Sequence, residues 1–105
     1  MTNLDLLKLK TFQTRPIAEA CKESQETADY VEQCVVRFFL GDYGEIDEED
    51  SEYNNEDLRA GEGHVLARYK AFGQLTEDIY IESHFSNTIP GVDANNNMIM
   101  YCSER

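Results

Sequence analysis

The chain has 105 residues, 41% of them apolar, and carries 21 acidic against nine basic side chains for a net charge of -12. That length suits one small domain over 1–105 whose core stands without metal or disulfide staples. A polyanion is repelled by nucleic acid and by anionic lipid, so neither is expected as a direct partner; a basic protein surface is what it should attract.

The first nine residues place Asp5 inside an apolar stretch with no basic leader and no small-residue cleavage site, so no secretion signal is expected and the expected location is the host cytosol. Leu7, Leu9 and Phe12 alternate enough to predict a short strand over Lys8 to Gln13. Thr14 then looks like a helix cap, with Pro16 in the first turn where its missing N–H costs nothing, and a short helix over Ile17 to Lys22 follows. Ser24 caps a longer second helix in which Ala28, Val31, Cys34, Val35, Phe38 and Phe39 form one apolar stripe. Gly41 stops it in a left-handed conformation.

Asp42-Tyr43-Gly44 reads as a tight turn. Asp47 is the expected N-cap of a third helix through Ala60, closed by Gly61, with Glu48, Glu49 and Asp50 in the first turn where the helix dipole favours negative charge. Beyond Gly63 the period changes to two. Strands are expected over His64 to Lys70, Asp78 to Ser83 and Asn97 to Cys102, with Val65, Ala67 and Tyr69, then Ile79 and Ile81, then Met98 and Met100 facing the core. Pro90-Gly91, within Asn87 to Asn96, marks a turn. The fold class that follows is α+β, N-terminal helices packed on a small antiparallel sheet of three to four strands. No apolar run approaches the length of a membrane span.

Cys21, Cys34 and Cys102, odd in number and widely spaced, read as free thiols and not as a disulfide framework or a zinc site. His64 and His84 are the only imidazoles, and no local pattern pairs either with a thiol. Gly61-Glu62-Gly63 lacks the following helix and the lysine of a phosphate cradle. No catalytic residue, metal or cofactor is expected.

What remains is the acidic run. Asp42, Glu45, Asp47, Glu48, Glu49, Asp50, Glu52, Glu56 and Asp57 fall within sixteen residues that contain no Lys or Arg, and Tyr43 and Tyr53 are interleaved with them. Three explanations compete: a solvated helix face, a cation site, or a surface that imitates nucleic acid. An EF-hand needs alternating oxygen ligands, a glycine at its sixth position and a glutamate at its twelfth; that pattern fails whether counted from Asp42 or from Asp47. If helical throughout, the run would spread nine charges over roughly 24 Å, about one per 2.7 Å, of the same order as the 3.4 Å spacing along one nucleic-acid strand. Like charges at i, i+4, such as Glu48 with Glu52 and Glu52 with Glu56, oppose the helix, whereas interspersed lysines would not.

Gly41-Asp42-Tyr43-Gly44-Glu45, followed by Glu49-Asp50, Asn54-Asn55, Leu58 and Gly61, resembles a family of small uncharacterised proteins carried by phages, plasmids and other mobile elements. The family pattern is a Gly-Asp-Trp-Gly-acid turn, an acidic stretch, a strand ending in Tyr and an Ile-rich strand before an acid; Ala67 to Tyr69 and Ile79 to Glu82 match the strands. Tyr43 replaces the usual Trp, and His84-Phe85 stands where the family tends to have Asp-Arg. The resemblance covers residues 40 to 86 and carries no assigned function with it.

A mobile-element origin implies an anti-defence factor: in size and charge the chain is similar to type II anti-CRISPR proteins. The expectation is a non-enzymatic inhibitor of an RNA-guided effector nuclease, binding its Lys- and Arg-lined DNA-binding surface through Asp42, Tyr43, Glu45, Asp47, Glu48, Glu49, Asp50, Glu52, Tyr53, Glu56 and Asp57. The alternative is an accessory module of a mobile element that regulates replication or transcription through another basic protein. Self-association is a further expectation, through an intermolecular strand over Leu4 to Leu9 in a homodimer.

Overall fold

The structure, a computed structural model, describes residues 1–85 and 95–105. The apolar N-terminus does not extend as its spacing suggests. Asn3–Lys8 winds into a 3-10 helix, opened by the Thr2 N–H donating to the Asp5 carboxylate at 2.7 Å and closed by the Leu9 N–H donating to the Leu6 carbonyl at 3.1 Å. The first strand therefore starts late, at Lys10–Gln13 (β1), and Leu4 to Lys8 is not available as a strand.

Helix α1, Arg15–Glu23, begins before and ends after its expected limits with Pro16 in the first turn. Thr14 sits at its N-cap, but its hydroxyl donates to the Glu104 carboxylate at 2.9 Å and leaves the helix end uncapped by a side chain. Helix α2, Gln25–Phe39, is capped as read: the Ser24 hydroxyl accepts the Thr27 N–H at 3.3 Å. Val31, Cys34, Phe38 and Phe39 are buried, Ala28 and Val35 half-buried. Thr27, absent from the expected stripe, is fully buried because its hydroxyl accepts the Gln74 N–H at 2.9 Å. Helix α3, Glu48–Ala60, has both expected caps: the Asp47 carboxylate accepts the Asp50 N–H at 2.8 Å, and Gly61 takes the left-handed conformation, φ 71°, that places its N–H against the Asp57 and Leu58 carbonyls.

Strands β2 (Gly63–Tyr69), β3 (Ile79–Phe85) and β4 (Asn96–Tyr101) complete a four-stranded sheet of order β1-β4-β3-β2. The turn expected at Pro90-Gly91 lies outside the described residues. β2, β3 and β4 alternate in direction, but β1 runs parallel to β4, so the sheet is mixed where an antiparallel one was expected. The alternation of β1 fixes its faces and is silent on its direction. Buried Asn97 of β4 holds it: its Nδ2 donates to the Leu6 carbonyl at 3.0 Å and to the Thr11 hydroxyl at 3.2 Å, and its Oδ1 accepts from the Ser83 hydroxyl.

The inner face of the sheet is Val65, Ala67, Tyr69, Ile79 and Ile81 as expected, joined by Ile99 and Tyr101, and packs against Leu6, Ile17, Val31, Cys34 and Phe38. Met98 and Met100, the expected core face of β4, point the other way. All four residues Met98 to Tyr101 are apolar, so alternation cannot choose a face. Register chooses: Ile99 lies opposite Ile81 and Tyr101 opposite Ile79. Among the described residues no helix is long and apolar enough to cross a membrane.

Candidate functional site

The acidic segment begins as a covering for the sheet edge. In β2 the peptide groups of His64, Leu66 and Arg68 point outward, away from β3, and residues 43–57 engage five of the six, all but the His64 carbonyl. The Tyr43 carbonyl accepts the Arg68 N–H at 3.0 Å, and the Glu45 N–H donates to the Arg68 carbonyl at 2.7 Å. The Asn54 carboxamide binds both peptide groups of Leu66, and the Asp57 carboxylate accepts the His64 N–H at 3.0 Å. An edge that would template another chain is closed by this segment.

That task divides the expected binding residues. Asp42 is held by Arg37, whose Nε donates at 2.7 Å and Nη2 at 3.2 Å, and by the Gly44 N–H at 3.0 Å. Arg37 first, then the Gly44 N–H, keeps its carboxyl below the usual carboxylate range. Tyr43, expected to reach into a partner, is buried, and its hydroxyl joins Asn3, donating at 3.0 Å, to the Asn55 side-chain oxygen at 3.2 Å. Asp47 caps α3 and Asp57 closes the edge. These four side chains serve the fold.

Glu45, Glu48, Glu49, Asp50, Glu52 and Glu56 are exposed, and among the described residues none forms an ion pair. Glu48, Glu52 and Glu56 make one i, i+4 row on α3. Glu49 and Tyr53 make the adjacent row, with the Tyr53 hydroxyl 3.4 Å from the Glu49 carboxylate and the ring 56% exposed. Asn54 and Leu58 hold the opposite, buried face. The run is helical only from Glu48, because Asp42 to Glu45 is spent on the bridge to Arg68; the charges are thus shared between a turn and a helix instead of lying on one rod.

Asp50, Tyr53 and Asp57 also line a groove of about 460 Å³ whose other wall is His64, Leu66, Tyr80 and Arg105. Sequence reasoning passed over this wall. His64 and His84 face each other across β2 and β3 with ring centroids 6.0 Å apart. His84 Nε2 lies 2.8 Å from the Glu82 carboxylate, which also accepts from Arg105 at 2.8 and 3.0 Å. Burial pushes the Glu82 carboxyl up, but the hydrogen bonds from Arg105 and His84 outweigh it and hold the group below its ordinary value. The available signal was parity: Glu82 and His84 share a face of β3 with Tyr80, whereas the core face is Ile79 and Ile81.

Among the described residues no group of three or more His, Cys, Asp or Glu is arranged to hold a metal ion. Burial pushes the Cys21, Cys34 and Cys102 thiols up, away from the reactive thiolate. The arrangement offers charge and shape for binding. The chain matches no protein-family model, no curated protein and no solved structure.

Proposed function

We propose that the protein is a stoichiometric inhibitor, acting in the host cytosol, that lays the solvent face of α3 into a basic nucleic-acid-binding surface, and that its target is the guide-loaded effector nuclease of a type II CRISPR system. One observation carries the reading: the carboxylates that the fold does not use stand together on α3. Glu48, Glu49, Asp50, Glu52 and Glu56 set five charges along roughly 13.5 Å of helix axis, about one per 2.7 Å, between the 1.7 Å spacing of a duplex and the 3.4 Å spacing of one strand. Such nucleases hold their heteroduplex and read the adjacent motif with Lys and Arg. Tyr53 adds an exposed ring beside the acids, of the kind that anchors interfaces. Occupation of this surface requires no catalysis and no cofactor.

The test is cleavage of target DNA by purified guide-loaded type II nucleases, with the protein titrated through stoichiometry and binding measured on the same complex. Inhibition that saturates near one equivalent and weakens as salt rises is expected. Replacing Glu48, Glu49 and Glu52 by Gln and Asp50 by Asn removes four of these five charges with side chains of the same shape, and should abolish inhibition. Full inhibition by that variant overturns the mechanism; absence of binding to any nuclease, with binding to a replication or transcription protein, overturns the choice of target in favour of an accessory module.

A further inference from the structure

The two edges of the sheet are treated in opposite ways. At β2 five of the six outward peptide groups from His64 to Arg68, all but the His64 carbonyl, have a partner in the acidic segment. At β1 all four residues are exposed. The Thr14 N–H donates to the Ile99 carbonyl at 3.0 Å and the register is Gln13 opposite Ile99, so Lys10, Phe12 and Thr14 turn their peptide groups toward β4. Thr11 and Gln13 turn theirs outward, where no described residue bonds them. Phe12, 48% exposed, projects on the Met98 side of the sheet. Leu4 and Leu7, at i and i+3 of the 3-10 helix and 57% and 58% exposed, form an apolar ridge leading into the strand.

We infer that β1 is a self-association edge, and that two copies of the chain pair β1 antiparallel across a two-fold axis to make one continuous eight-stranded sheet. The outward groups select the register. Each Thr11 exchanges both peptide hydrogen bonds with Gln13 of the second copy, which puts Phe12 directly opposite Phe12 on the axis. This is a non-hydrogen-bonded pair, the closer kind, and an aromatic one. Lys10 then faces Thr14 and Leu9 faces Arg15, so no like charges are opposed.

Charge opposes a second copy far less at this edge than at the acidic segment. Residues 1–22 hold Lys8, Lys10, Arg15 and Lys22 against Asp5 and Glu19, whereas residues 41–62 hold ten acids and only Arg59. Lys8 is already matched by Asp5 at 3.8 Å and Arg15 by Glu19 at 3.1 Å, so the edge presents little net field. The pairing also keeps the acidic helices apart. The two β2 strands stand about 34 Å from each other at 4.8 Å per strand, with each α3 beyond them, several times the roughly 8 Å over which charges act in physiological salt. An interface built on a four-residue strand is small, which makes the dimer concentration-dependent instead of obligate.

Sedimentation velocity over a range from low micromolar to millimolar protein tests this. A shift from the 12.1 kDa chain to twice that mass is expected as concentration rises. Phe12→Lys, at a site half exposed in the monomer, sets two ammonium groups on the axis and should raise the dimer dissociation constant by roughly tenfold or more, with an unchanged circular dichroism spectrum. Phe12→Cys should cross-link into a covalent dimer under mild oxidation, whereas Val36→Cys, exposed on α2, should not. A chain that stays monomeric throughout, a dimer indifferent to Phe12→Lys, or equal cross-linking from position 36 overturns the inference.

Discussion

The Asn54 carboxamide makes the two hydrogen bonds to Leu66 that a neighbouring strand would make: Nδ2 donates to the carbonyl at 2.8 Å and Oδ1 accepts the N–H at 3.0 Å. A side chain from a helix thus substitutes for a strand, and it does so from a site only 4% exposed. Replacing Asn54 by Ala orphans both Leu66 groups, at a cost of about 1–3 kcal/mol, the lower part of the range applying if water enters at the edge. Urea unfolding should show a lower midpoint with an unchanged slope. A change below about 0.5 kcal/mol would mean that the pairing contributes no more than an ordinary surface contact.

Gly44 is fixed by two constraints at once. Its φ is 70°, and a Cβ there would collide with the Arg68 carbonyl oxygen and come within 2.8 Å of the Tyr69 ring. The carbonyl cannot withdraw, since it accepts the Glu45 N–H at 2.7 Å. Gly44→Ala should therefore cost about 2 kcal/mol or more. Gly41 shares the positive φ, at 87°, but a Cβ there meets only the Asn3 side chain at 3.3 Å. Gly41→Ala should cost about 1 kcal/mol, the dihedral part alone. Equal losses in thermal melts of the two variants would show that the close approach to Arg68 adds nothing.

Where the chain's own local chemistry decides the outcome, the structure follows it. Ser24, Asp47, Gly41 and Gly61 mark helix ends by side-chain and dihedral preferences that act within a few residues, and all four were legible. The faces of β2 and β3 follow from Val65, Ala67 and Tyr69 and from Ile79 and Ile81. The direction of β1 and the face of β4 are set by partners far along the chain, Asn97 on Leu6 and Thr11, Ile99 on Ile81, and no local pattern encodes them. The acidic run shows both behaviours. Its composition announces a charged surface, but only contacts made in the fold, Arg37 on Asp42, Asn3 and Asn55 on Tyr43 and the His64 N–H on Asp57, explain why these side chains are engaged and the glutamates of α3 are not.

The exposed glutamates are a burden on the helix that carries them. Glu52 sits four residues from both Glu48 and Glu56, and the described residues give none of the three an ion pair. Each i, i+4 repulsion costs a few tenths of a kcal/mol, about 0.2–0.5, so Glu52→Gln should stabilise the protein by about 0.4–1 kcal/mol in low salt. Glu48→Gln relieves one repulsion but forfeits the first-turn interaction with the dipole, and should be near neutral. Salt screens both effects, so the wild-type melting temperature should rise between dilute buffer and roughly 0.5 M NaCl, with the advantage of Glu52→Gln shrinking in parallel. An advantage that persists at high salt would assign it to helix propensity and not to charge.

Glu82 gives the acid limb of stability a specific source. Its side chain is 7% exposed, and Arg105 and His84 hold its carboxyl below the ordinary value of 4.5. A carboxylate with a lowered folded-state value binds its proton more readily in the unfolded chain, so its contribution is complete above about pH 4.5 and is lost as pH falls below that through the folded-state value. Arg105 is half exposed and water screens its side of the pair, so Glu82→Gln should cost about 1–3 kcal/mol at pH 7. Asp42 and Asp78, also lowered, titrate in the same acid range in both proteins and do not distinguish them. Melting temperatures of wild type and Glu82→Gln should therefore differ at neutral pH and converge on acidification below about pH 4. A gap that stays constant down to the acid transition would show that the buried carboxylate acts through packing, since only a charge that is neutralised can lose its contribution there.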